Sequence, residues 1–185
     1  MGISPLINHL DDDERLQRRL HYARAQGDAY GAAVDELVGG PERRAGEYWV
    51  GCAVEPARGM YEWVGGRLVW REPADADRHV EITVRDAGDG RFVPGAEIVV
   101  TLIDPQGHEL GTHVHPLVWH PIAYHYGRNW AFEREGRYRL RVRVEPPKFM
   151  RHDQVNGARL SKAAELEFDD IDPATLSCAR SYSPT

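Results

Sequence analysis

Between residues 137 and 145 apolar and cationic side chains alternate without a break: Tyr138, Leu140, Val142 and Val144 take one parity, Arg139, Arg141 and Arg143 the other. A period of two scatters apolar groups around a helix, but on an extended strand it gathers them on one side and leaves the arginines in solvent. Such a strand needs antiparallel neighbours and a second layer over its apolar face. Candidates are plentiful. From Glu47 onward the apolar period is close to two, and residues 61–64 and Arg67–Arg71 flank Gly65-Gly66, a pair suited to the primed turn of a hairpin. Residues 80–85, Glu97–Ile103 and 164–168 read as further strands, and Asp104-Pro105-Gln106-Gly107 and Glu145-Pro146-Pro147 as turns. Short strands with frequent turns and no helices between them predict a mostly β protein, a two-sheet antiparallel sandwich, with a small barrel as the alternative.

The start of the chain reads differently. Leu16, Leu20 and Ala23, and after Asp28 Tyr30, Val34, Leu37 and Val38, recur at helical spacing, predicting two or three short amphipathic helices that stop at Gly39-Gly40-Pro41. The 185 residues suit one domain. The expected organisation is a helical N-terminal extension over residues 1–40, a β-sandwich over 41–170 and a C-terminal tail over 171–185. Acidic residues outnumber Lys and Arg by 29 to 23, a net charge of −6 that argues against nucleic acid or an anionic membrane as partner. No apolar stretch approaches the ~20 residues of a membrane span. The first ten residues lack the basic and apolar regions of an export signal, so a cytoplasmic location is expected. Cys52 and Cys178 allow one disulfide at most, and the Asp169-Asp170-Ile171-Asp172 run is expected to be solvated.

Histidine carries the chemistry. Of nine histidines, seven fall between His79 and His152, and four, His113, His115, His120 and His125, lie within thirteen positions. Imidazoles converging with a carboxylate suit iron, copper, zinc, nickel or manganese, and the absence of cysteine from the cluster argues against a structural zinc knot. In His79-Val80-Glu81 strand alternation puts the imidazole and the carboxylate on one face and sends Val80 to the other. Ligation requires neutral imidazole, so affinity is expected to fall as pH drops through roughly 6.5.

The string His125-Tyr126-Gly127-Arg128-Asn129, then Gly136-Arg137-Tyr138, residues 142–147 and Arg151-His152-Asp153, resembles the periplasmic iron-transport accessory family of bacteria, metal-binding proteins that work beside an iron permease. Val54-Glu55-Pro56-Ala57-Arg58-Gly59-Met60 is similar to that family's E-P-x-G-M segment, and His79-Val80-Glu81 to its H-x-E strand; the matched pieces keep their order over residues 47–153. The resemblance implies an immunoglobulin-like sandwich, a homodimer, a periplasmic location and a shallow site for copper or iron, with His79, Glu81, His125 and His152 as ligands. The family carries a methionine shortly before the HYG string, where this chain has Leu117, Val118, Trp119 and His120. His120, or His113 with His115, is then the replacement, moving the site toward nitrogen-rich coordination. Met60 is the better placed of the remaining soft donors.

Two other functional classes fit parts of the pattern. His113-x-His115 with His125-x3-Asn129 faintly matches the metal motifs of cupins, which would make the chain a metalloenzyme using His113, His115, His120 and His125. The other is a non-catalytic sandwich interaction module with incidental histidines. The expected function is transition-metal binding in iron uptake or metal handling, without catalytic turnover.

Overall fold

The computed structural model of the chain describes residues 13–38, 42–133, 135–152, 154 and 157–174. In chain order they form α1 (Asp13–Val38), β1 (Glu42–Ala45), β2 (Tyr48–Pro56), β3 (Met60–Val64), β4 (Arg67–Arg71), β5 (Arg78–Asp86), β6 (Glu97–Ile103), β7 (Glu109–His115), β8 (Leu117–Val118), β9 (His125–Trp130), β10 (Tyr138–Glu145) and β11 (Ala164–Ile171). A five-stranded antiparallel sheet ordered β1-β2-β5-β9-β8 faces a four-stranded one ordered β11-β10-β6-β7, and β3-β4 is a separate ribbon. This is the mostly β, immunoglobulin-like antiparallel sandwich with a helical N-terminal extension that the alternation and the resemblance predict.

One core joins the sheets. Val50, Cys52 and Val54 of β2, Val80, Ile82 and Val84 of β5, and Tyr126 of β9 meet Ile98, Val100 and Leu102 of β6 and Tyr138, Leu140, Val142 and Val144 of β10. The alternation in residues 137–145 is therefore what it promised: the four apolar groups are buried, and Arg141 and Arg143 pair with Glu167 and Glu165 across β11. Burying groups of this size between two layers stabilises by roughly 1.5–3 kcal/mol each, so the parity of the strands decides the fold. Gly65 and Gly66 have φ of 58° and 80°, closing the β3–β4 hairpin by the primed turn expected of them.

The structure departs from expectation in three places. β11 runs to Ile171 rather than stopping at 168, because Ile171 is buried and pairs with Tyr138. The strands β1 and β9 carry no simple apolar alternation, and it is pairing to β2 and β5 that makes them strands. Finally, the described helical region is one continuous 26-residue helix, not two or three short ones. Gly27-Asp28 looks like a break in the sequence, yet Gly27 is buried where the helix crosses the turn after β5: a Cβ there would stand 2.0 Å from the Asp89 carbonyl oxygen. The helix accepts the glycine's backbone cost of about 1 kcal/mol because no other residue allows that approach. Gly27→Ala is accordingly expected to lift α1 from the sandwich at a cost of roughly 1–3 kcal/mol. Hydrogen exchange would register this as faster exchange in residues 13–38, with β10 amides unchanged. Gly39-Gly40-Pro41, Asp153 and Cys178 lie outside the described residues.

Candidate metal centre

The five-stranded sheet has a face turned away from the core, and alternation decides what stands on it. With Val80 and Ile82 inward, His79 and Glu81 point outward from β5; with Tyr126 inward, His125, Gly127 and Asn129 share that outer parity on β9. Antiparallel register sets His79 opposite Asn129 and Glu81 opposite Gly127. Tyr126 anchors β9 by donating its hydroxyl hydrogen to the Val93 carbonyl and accepting from the Ala96 N–H.

The outer face is not open here. On the β2 side Ala53, the register partner of Glu81, is buried against Val34 and Tyr30 of α1. Tyr30 also donates to the carbonyl of Tyr124, the residue before His125. Flanked in this way, His79, Glu81 and His125 are only 3%, 9% and 4% exposed.

Three donor atoms converge. His79 Nε2 lies 3.4 Å from His125 Nε2 and 3.9 Å from Glu81 Oε1, and His125 Nε2 lies 3.5 Å from the same oxygen. Two bonds of about 2.1 Å at a tetrahedral angle place their donor atoms about 3.4 Å apart, so the triangle has the dimensions of a first-row metal's ligand set. Among the described residues these are the one group of three or more His, Cys, Asp or Glu donors close enough to share an ion.

Each imidazole is oriented from behind. Asn129 Nδ2 donates to the Arg58 carbonyl at 2.8 Å, which assigns Asn129 Oδ1 as acceptor for His79 Nδ1–H, also at 2.8 Å. His79 Nε2 is left with its lone pair toward the triangle, the arrangement that ligating histidines require. The His125 ring stands edge-on to that of His79, with ring centres 5.6 Å apart and planes at 70°. Gly127 forms the floor between the rings: a Cβ there would stand 2.5 Å from His79 Nε2 and 3.0 Å from His125 Cδ2.

Burial controls the charge of the site. Desolvation lowers His79 and brings His125 down to about 3, so both rings are neutral at ordinary pH. The same desolvation, helped by Glu55 and opposed by Arg58, raises Glu81 to about 7. Burial thus brings Glu81 into the range near neutral pH where protonation competes with an ion, beside the imidazoles anticipated from the sequence.

The other candidates from the sequence part company. His120, in the loop before β9, stands with its ring centre 6.1 Å from that of His125. His113 and His115 belong to β7, in the other sheet. His113 packs on the Trp130 ring, and His115 Nε2, buried, accepts the Trp130 Nε1–H at 3.0 Å. His152 is exposed beyond β10 and is not in the triad. Its neighbour Arg151 donates to the Leu160 carbonyl, which also accepts from the Tyr48 hydroxyl, and Tyr48 pairs with Asp86 at the end of β5 opposite His79. The four-histidine cluster that a cupin-like enzyme would use is thus not gathered, because register and sheet membership divide it. Met150 is 97% exposed, and the Cys52 thiol faces the core, where burial raises it to about 12. Sequence reasoning assigned no role to Gly127 or Asn129. Their signal was the two-residue spacing from His125, which places all three on one face.

Comparison with known proteins follows this geometry. A family model described as Fe2+ transport protein matches residues 65–172, more than half of the chain. No curated protein matches the sequence. Among solved structures, FetP from uropathogenic E. coli, expressed in the periplasm of its host, is similar with a TM-score of 0.60 and 22% identity over 71% of this chain and 91% of FetP. A copper-bound glutamine variant of FetP aligns with a TM-score of 0.59 and 22% identity over 74% of this chain and 97% of its own. The copper-reconstituted P19 protein of Campylobacter jejuni aligns with a TM-score of 0.59 and 19% identity over 72% of this chain and 94% of P19. At these identities the likeness establishes the fold. The family match begins after α1, β1, β2 and β3, so the helix beside the site lies outside it.

Proposed function

The chain belongs to the Fe2+ transport protein family, and on that premise we propose that it holds an iron or copper ion on His79, Glu81 and His125 and hands it on without chemical turnover. The observation that carries this reading is the convergence of three buried donors at ligand spacing over a floor that has no Cβ. Two neutral imidazoles and one carboxylate suit iron and copper and also accept zinc, manganese or nickel. That FetP and P19 have been obtained with copper supports the choice of metal.

The cytoplasmic location expected from the first residues gains no support from these comparisons; a periplasmic role beside an iron permease fits the family better. Among the described residues no helix is long and apolar enough to cross a membrane. A homodimer is part of the proposal, supported by the exposed Tyr61, Trp63, Leu68 and Trp70 of the ribbon. Light scattering that returned a monomer at every concentration would remove it.

The decisive test is titration of the metal-free chain with Cu(II), Fe(II), Mn(II) and Zn(II), beside His79→Ala and His125→Ala. One ion per chain and a large loss of affinity in each variant are expected. Unchanged affinity in both would overturn the site.

A further inference from the structure

Three donors leave a first-row ion short of the four ligands it ordinarily takes, and the side chain standing beside the triad on the 119–124 loop is His120. We infer that His120 is the fourth ligand, closing a set of three imidazoles and one carboxylate that makes the cargo a divalent ion rather than Cu(I). The inference rests on the site proposed above and names what that site selects.

The geometry carries it. The centre of an imidazole ring lies about 3.2 Å from an ion bound through Nε2, so two rings on one ion have centres at most about 6.4 Å apart. His79 and His125 are separated by 5.6 Å, and His120 and His125 by 6.1 Å. At a tetrahedral angle two such centres stand about 5.2 Å apart, so His79 and His125 fit nearly as they stand, whereas His120 must move about 1 Å toward His125 to join them. His120 is half-buried, and its ring contact with His125 sets it beside the triad. The Ile122 N–H donates to its Nδ1 at 3.3 Å. Releasing that bond and moving the ring proton from Nε2 costs little beside a metal–nitrogen bond. Pro116 and Pro121, on either side, limit how far the loop can carry the ring away.

Three nitrogens and a carboxylate oxygen form a borderline-to-hard donor set, whereas Cu(I) prefers thiolate or thioether. The site would therefore retain Cu(II), Fe(II) or Zn(II) and bind Cu(I) weakly.

The test uses the full chain, with His120→Ala, His120→Met and Met60→Leu beside the parent and His79→Ala. Electron paramagnetic resonance of the Cu(II) form should show three coupled imidazole nitrogens in the parent and two in His120→Ala, with affinity for Zn(II) lower by at least about tenfold. His120→Met should raise affinity for Cu(I), measured against a Cu(I) chelator, while Met60→Leu leaves it unchanged. An equal nitrogen count and affinity within about twofold in His120→Ala would overturn the inference while leaving the triad standing. Loss of Cu(I) binding in Met60→Leu would overturn it in favour of a thioether ligand. Parent-like binding in His79→Ala would instead remove the underlying site. Circular dichroism of the metal-free variants separates lost ligands from lost fold.

Discussion

Gly127→Ala is expected to abolish ion binding in a chain that still folds. The new methyl carbon would stand 2.5 Å from His79 Nε2 and 2.8 Å from His79 Cε1, far inside contact distance. The ring cannot turn in place to avoid it, because Asn129 holds Nδ1 from the other side. It has to leave, and the donor triangle opens. The strand itself tolerates the change, since alanine restricts the unfolded chain more than glycine does and Gly127 does not carry positive φ. At a ligand concentration of 100 Kd, binding stabilises a protein by about 2.7 kcal/mol, which in a chain of this size is a rise in Tm of roughly 5–10 °C. That rise should be present in the parent and absent in the variant, with affinity down by about a hundredfold or more, beyond the 10–100-fold typical of losing a group that only orients a ligand. A variant that bound as the parent does would show that the rings do not act together.

The second large effect is on pH. Burial raises Glu81 from its usual value to about 7 and lowers His125 to about 3, so metal-free protein at pH 6 holds a protonated carboxyl beside a neutral His125 ring. An ion must displace that single proton. Below about pH 7 affinity is expected to fall close to tenfold per pH unit, and above it to level off. Calorimetry in two buffers of different ionisation enthalpy should count about one proton released at pH 6 and close to none at pH 8.5; release of two or more would assign the titration to the imidazoles. Glu81→Gln should bind more weakly and lose the slope. The sign for stability without metal follows from the same shifts. With its folded value raised, Glu81 contributes stability that is fully present below about 4.5 and is lost as pH rises through about 7. His125, with its folded value lowered, contributes stability that is present above about 6.5 and is lost as pH falls toward 3. The metal-free chain is thus held weakly from both sides, and the ion removes the alkaline weakness by taking up the carboxylate's charge.

The role of α1 connects these effects. Val34 and Tyr30 on Ala53 exclude water from the neighbour of Glu81, and desolvation is the main reason its carboxyl titrates near neutrality. A helix outside the family's matched region therefore tunes a site built inside it.

What could be read from residues alone was whatever depends on near neighbours. Alternation over 137–145 and around the Gly65-Gly66 turn determined that the chain forms antiparallel strands with one buried face, and the same parity put His79 and Glu81 together on the other face. These are facts of backbone geometry that no distant residue can alter. The choice among histidines was of another kind. His113, His115, His120, His125 and His152 are alike as residues, and the pairing of β9 to β5, the pairing of β7 to β6, and the hold of Leu160 and Tyr48 on Arg151 separate His125, which meets Glu81, from His113, His115 and His152. A shift of one residue in the β5–β9 register would replace His125 and Gly127 by Tyr126 and Arg128 on the outer face. Register is set by the summed burial of the whole core, so the convergence of His79, Glu81 and His125 belongs to the tertiary structure, whereas the strand that offers the first two of them was already written in the sequence.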